Sequence, residues 1–196
     1  MPPTDEQLLI QFKQGDARAL HSLIERYTTP IYNLARRLLR DSMEAENVAQ
    51  ETFLRLMLSA NRIDLTQPIK PYIFRIAVNQ CRDLMRKHRP LVFTDLGDDS
   101  AQAVDTIVDD QPEPWESLAQ AELETRLRHA IDQLPAKFQT VILLRYFEDL
   151  SYEDIARALD LPLNTVRTFL RRAKAQLREA LEPESQSSPA VKEGGM

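Results

Sequence analysis

Between Ser151 and Arg178 the apolar residues fall at the spacing of two helices joined by a tight turn. Counting from Tyr152, the fifth position is Ala156, a small residue that lets two helix axes approach, and the fifteenth is Val166, a β-branched residue that packs the second helix onto the first. Ile155, Leu159, Leu161 and Leu170 complete a small core. Ser151-Tyr152-Glu153-Asp154 has the form of a capping box, with Asp in place of Glu, and starts the first helix. Asp160 stands at the turn, where glycine is common; Asp tolerates a left-handed backbone better than most residues. The stretch therefore predicts a helix-turn-helix.

Its second helix carries five basic residues (Arg167, Arg171, Arg172, Lys174 and Arg178) and no acid between Thr165 and Arg178. With Val166, Leu170, Ala173 and Leu177 turned inward, Arg167, Thr168, Arg171 and Arg172 face out near the N-terminal half. In this motif that half enters the DNA major groove, where arginine pairs with guanine in bidentate fashion or binds phosphate. A solvated basic face in an ordinary bundle would carry the same charges, but spacing, capping and charge segregation together favour DNA.

The rest of the chain predicts an all-α fold of two small helical domains, with no strand alternation and no internal repeat. Helical runs begin at Leu8, Leu9 and Phe12, then at Leu20, Leu23, Ile24, Tyr27, Ile31, Leu34, Ala35 and Leu38, where Pro30 suggests a kink or break near Thr29. A third run holds Val48, Phe53, Leu54, Leu56 and Met57. A loop follows from Asn61 to Pro71, then a fourth helix from Tyr72 with Ile73, Ile76, Ala77 and Leu84 inward and Arg75, Arg82, Arg86, Lys87 and Arg89 outward, stopped by Pro90. Residues 1–90 form the first domain, 91–114 a flexible acidic linker, 115–182 the second domain with two short helices at its end, and 183–196 a disordered tail. Pro114 and Trp115 are expected to anchor the start of the second domain.

The net charge of −5 appears wrong for a DNA binder, but it is segregated. Residues 1–90 carry +4, 91–117 carry −8 without a single base, 118–182 are neutral, and the tail carries −1. Local charge, not the total, sets the field at a binding face.

Other classes are disfavoured. The four glycines form no phosphate loop, and no nucleophile–base pair appears, so neither an enzyme nor a bound cofactor is expected. Cys81 and His88 lack the companion ligands of a metal site, and Cys81 reads as a small, partly buried helix residue. With one cysteine, no apolar run near the roughly 20 residues of a membrane span, and no leader-like start, a reducing cytoplasmic setting and no membrane insertion are expected.

Four segments carry a family resemblance. Ala45-Glu46-Asn47-Val48-Ala49-Gln50-Glu51-Thr52-Phe53-Leu54 and Pro71-Tyr72-Ile73-Phe74-Arg75-Ile76-Ala77-Val78-Asn79 are two. The others are Leu134-Pro135 with Val141 to Tyr146, and Thr165-Val166-Arg167 with Arg172-Ala173-Lys174. In order and spacing they resemble the extracytoplasmic-function (ECF) sigma factors of the sigma-70 family. The resemblance spans about Asp5 to Leu181.

It implies a protein that binds core RNA polymerase and directs promoter-specific initiation. Glu46, Asn47, Gln50, Glu51 and Leu54 match the surface that docks on the β′ clamp helices. Asn61, Arg62, Tyr72, Arg75, Asn79, Arg82, Arg86, Lys87 and Arg89 match the part that reads and melts the −10 element, and the Asn61–Lys70 loop would cradle a flipped base. Thr165, Arg167, Thr168, Phe169, Arg171, Arg172 and Lys174 match the part that reads the −35 element, in a domain that also touches the β flap. The implied partners are core polymerase, promoter DNA and an anti-sigma protein. The acidic linker would either mimic nucleic acid in the polymerase channels or serve as a plain solvated tether.

The chain departs from the family pattern in places. Tyr72 replaces a usual Trp, Ile63-Asp64-Leu65-Thr66-Gln67 lacks the usual glycine, and Phe169 replaces a usual base. Pro162 takes the place of a capping serine, leaving Asn164 as the alternative cap of the recognition helix. The alternative function is a helix-turn-helix regulator that binds duplex DNA without core polymerase.

Overall fold

The computed structural model describes residues 2–88 and 116–181, with side chains at 2–87 and 122–181. Among them there are eight α-helices and no strand: α1 Asp5–Lys13, α2 Ala17–Leu39, α3 Ser42–Ser59, α4 Ile69–His88, α5 Glu116–Asp132, α6 Ala136–Tyr146, α7 Tyr152–Leu159 and α8 Leu163–Leu181. A 3₁₀ turn, Ala60–Arg62, follows α3. The expected linker, Arg89, Pro114, Trp115 and the tail lie outside the described residues.

Helix starts follow local side-chain chemistry. Thr4 and Gln7 form a reciprocal capping box on α1, while Asp16 and Asp41 accept backbone N–H bonds at the starts of α2 and α3. α2 ends with Arg40 in the left-handed region, at φ 57°.

Pro30 does not break α2, contrary to the expectation; the helix runs through it for 23 residues. One uninterrupted stripe (Leu20, Leu23, Tyr27, Ile31, Leu34, Leu38) is buried along this helix, and its burial outweighs one missing hydrogen bond. α4 also starts earlier than expected, with Pro71 inside its first turn, where the missing N–H costs nothing. Glu6 reaches from α1 to accept the Ile69 N–H at 3.2 Å and so caps α4 across the domain.

α1 to α4 form one bundle. Tyr27 of α2 donates to Asp5 and meets Phe74 of α4 edge-on at 6.1 Å. A buried polar pair ties α3 to α4: Gln80 Nε2 donates to Thr52 Oγ1 at 3.1 Å. α5 to α8 form the second bundle, in which α8 packs on α5, α6 and α7. The bundles touch, α4 on α7 and α2 on α6, and their buried side chains belong to one continuous apolar cluster.

Candidate nucleic-acid interface

The helix-turn-helix is built as its residues dictate. Ser151 Oγ accepts the Asp154 N–H at 3.0 Å, and its hydroxyl donates to the Asp154 carboxylate at 2.6 Å, so the capping pair closes through side chains. Asp160 lies in the left-handed region (φ 55°, ψ 49°) and ends α7. Ile155, Leu159, Val166 and Leu170 are buried between the helices.

α8 begins at Leu163 with no side-chain cap from Asn164. Pro162 supplies its carbonyl to the N–H groups of Thr165 and Val166 at 2.9 and 3.2 Å, and Asn164 sits within the first turn, where its Oδ1 accepts from Arg167 at 3.4 Å. Thr168 Oγ donates to the Asn164 carbonyl at 2.9 Å.

The outer face of α8 carries Arg167, Arg171, Lys174 and Arg178 at successive turns, with Arg172 beside them, all exposed. Thr165 and Thr168 are half-buried on its flanks. The Lys174 ammonium lies 5.4 Å from the Tyr146 ring centre, and its hydrogen bond with the Tyr146 side chain raises its pKa. Phe169 does not project with the basic residues: its ring turns inward, half-buried, onto Phe138. The position that reads as a lost base in sequence is a packing position in the fold.

α4 carries the second basic stripe. Arg75, Asn79, Arg82 and Arg86 recur at helical spacing and are exposed, and Lys87 lies to one side. Tyr72 is half-buried against the core near the start of the helix. The preceding loop is ordered by its own polar groups: Asp64 Oδ1 accepts from the Thr66 N–H at 2.9 Å and the Thr66 hydroxyl at 2.8 Å, which lowers the Asp64 pKa. Lys13 Nζ holds the Ile63 carbonyl at 3.1 Å. Asn61 and Arg62 stand exposed in the 3₁₀ turn at the loop's entrance.

The upper part of this stripe is already engaged. Arg75 Nη2 lies 3.7 Å from Asp160 Oδ2, and Arg82 Nη1 donates to the Leu159 carbonyl at 3.4 Å. Burial lowers the Arg82 guanidinium below its ordinary pKa.

A third surface lies on α3. Asn47, Gln50, Glu51 and Leu54 line a groove of about 470 Å³ with Gln80, Asp83 and Lys87 of α4. Glu46 is exposed outside the groove. Glu51 pairs with Arg55 at 2.7 Å. Sequence reasoning named Leu54 on this surface but missed the apolar margin it shares with Met57 and Leu58; the three are 49%, 44% and 77% exposed. The available signal was a run with more apolar residues than one buried face can hold. Among the described residues no group of side chains could hold a metal ion, and no helix is long and apolar enough to cross a membrane.

The comparisons agree with this layout. A family model described as Sigma-70 region 2 matches residues 23–90, which contain α3 and α4. One described as Sigma-70, region 4 matches residues 124–177, which contain the helix-turn-helix. The chain is 33% identical over 174 residues to the ECF RNA polymerase sigma factor SigW of Bacillus subtilis, covering 87% of this chain and 93% of that protein. It is 32% identical over 182 residues to the RNA polymerase sigma-H factor of Pseudomonas aeruginosa, covering 91% and 94%.

Two solved structures share the fold. One, of CnrH in complex with the cytosolic domain of CnrY, matches at TM-score 0.66 and 24% identity, covering 92% of this chain and 99% of that one. The other, of the sigma factor RpoE with the anti-sigma factor NepR from Bartonella quintana, matches at 0.60 and 18%, covering 84% and 97%. With α3, α4 and the helix-turn-helix inside the matched regions, the chain belongs to the ECF sigma factors of the sigma-70 family, which direct promoter-specific transcription initiation by RNA polymerase.

Proposed function

We propose a division of labour among the three surfaces. Residues 1–90 form the domain that docks on the polymerase and opens DNA; residues 115–182 form the domain that reads upstream sequence; 91–114 connect them, and 183–196 form a tail. On α3, Glu46, Asn47, Gln50, Glu51 and Leu54 bind the β′ clamp helices. The carboxylates and amides suit a basic helical partner, and the exposed apolar margin supplies the contact core that such an interface needs.

On α4 and its preceding loop, Asn61, Arg62, Tyr72, Arg75, Asn79, Arg82, Arg86 and Lys87, together with Arg89 next in the sequence, bind and melt the −10 element. On α8, Thr165, Arg167, Thr168, Arg171, Arg172 and Lys174 bind the −35 element, with Phe169 holding that helix in place. The second domain also touches the β flap. The protein works in the cytoplasm, and both structural neighbours, each solved as a complex of two proteins, support an anti-sigma partner here.

One observation carries the reading: a mixed apolar and acidic surface on α3 shares a groove with Lys87 and Asp83 of α4, beside its basic stripe, which supports docking and DNA contact on neighbouring surfaces. Leu54→Asp tests it. Leu54 is half exposed, so the substitution keeps the helix but puts a charge in the docking core. Co-purification with core polymerase should be lost with helix content unchanged, whereas Arg171→Ala should co-purify normally. Undiminished binding of the Leu54 variant would move the docking surface elsewhere.

A further inference from the structure

We propose that Glu6 and Lys13 of α1 are positioning residues for the −10 element, pinning the two ends of the loop at residues 63–69 so that it meets an unstacked base already shaped. This rests on the assignment of that loop to the −10 element made above. Glu6 Oε1 accepts the Ile69 N–H at 3.2 Å where the loop ends, and Lys13 Nζ donates to the Ile63 carbonyl at 3.1 Å where it begins. The two side chains leave α1 about two turns apart on one face, roughly 10 Å at 1.5 Å per residue. One helix face thus holds both ends of the loop.

The helix that carries the pins is itself fixed. Leu8 and Leu9 are buried, Thr4 and Gln7 cap its start, and Asp5 pairs with Arg26 and Tyr27 of α2. The groups it meets depend on it. The Ile69 N–H opens α4 and has no acceptor within that helix, and Ile69 is buried, so water is a poor substitute for Glu6. Between the pins, Ile63 and Leu65 pack against the core, while Asp64, Thr66, Gln67 and Pro68 stand exposed. The turn from Asp64 to Thr66 is closed only by exposed hydrogen bonds, which are worth little in water. The loop has no glycine and no residue in the left-handed region, and Pro68 fixes a further φ. With its ends held, such a loop has few other shapes to adopt.

Holding a base pulled from its stack must offset the cost of unstacking. A loop that orders itself only on contact gives up part of its binding free energy, whereas a loop ordered on folding does not. Losing the pins therefore weakens the grip on the base held by the loop, and not on bases met by α4 or α8.

Two measurements on the full chain test this. In the first, amide hydrogen exchange is followed by NMR in the free protein. Glu6→Ala with Lys13→Met should leave helix content unchanged and speed exchange of the Ile69 amide about ten-fold. An unchanged rate would overturn the pinning.

In the second, core polymerase carrying each chain initiates on a duplex library randomised across both promoter elements, each template bearing a transcribed barcode. The doubly substituted chain should lose about five-fold in base preference at one or two adjacent downstream positions, with the rest of the motif unchanged. Glu6→Gln with Lys13→Arg keeps an acceptor and a donor, so it should restore both the exchange rate and the preference. An even loss across the motif, no recovery in the conservative pair, or a preference that does not move would overturn the proposal. An unmodified chain with no downstream preference would remove the loop's assignment to the −10 element and the proposal with it, an outcome distinct from failure of the variants alone.

Discussion

The ring of Phe169 meets that of Phe138 edge-on, centroids 5.6 Å apart and planes inclined at 73°. This contact fastens α8 to α6 just inside the basic face and fixes how the arginines are presented. Phe169→Ala should therefore destabilise the C-terminal bundle by about 2 kcal/mol, below the fully buried range because the ring is half-buried. Chemical denaturation measures it. Phe169→Leu should retain most of that stability and leave −35 preference unchanged; a changed sequence preference in the Leu variant would put the ring at the DNA instead.

The Thr52–Gln80 bond lies inside the first bundle, with exposures of 0% and 7%. Thr52→Val keeps the shape but leaves the Gln80 amide without that acceptor, at a cost of about 1–3 kcal/mol. Because Gln80 also lines the groove between α3 and α4, the variant should bind core polymerase more weakly as well. Thr52→Ser, which keeps the hydroxyl, should restore both stability and binding; equal losses in the two variants would show that packing, not the hydrogen bond, matters there.

Glu148, just past α6, gives the fold a pH dependence. Burial pushes its carboxyl from 4.5 up to about 7; Lys70 pulls it back down and Asp149 adds to the rise. The folded state therefore holds a proton that the unfolded chain releases. The stability from this group is full below about 4.5 and is lost as pH rises through about 7. Glu148→Gln should flatten the thermal-stability profile across that window and gain on the order of 1 kcal/mol at pH 8, a figure reduced for the residue's partial exposure. An unchanged slope would show that Glu148 ionises freely in the fold.

How much of this was legible in the sequence depended on range. The turn at Asp160 and the start of α7 at Ser151 were readable because each rests on residues within a few positions of one another. Pro30 misled because a local rule was outweighed by a stripe running the length of α2. Phe169 matches the −35-reading part by its place among basic residues in the motif, and only the position of Phe138, a helix away, shows that its ring turns inward. The pairing of Arg75 with Asp160 joins residues far apart in sequence, and no pattern within either helix announces it. The three surfaces came from motif resemblance; that the α4 stripe faces the end of α7 came only from tertiary packing.

The central claim, that α4 and α8 read two separate promoter elements, is tested most directly by in vitro transcription with core polymerase on a genomic promoter library, sequencing the templates that initiate. The unmodified chain should enrich a two-part motif. Arg171→Ala should degrade only its upstream half, by roughly 1–3 kcal/mol if the arginine pairs with a base, and Arg86→Ala only its downstream half. No initiation, or an upstream and downstream preference that changes together in either variant, would contradict the account.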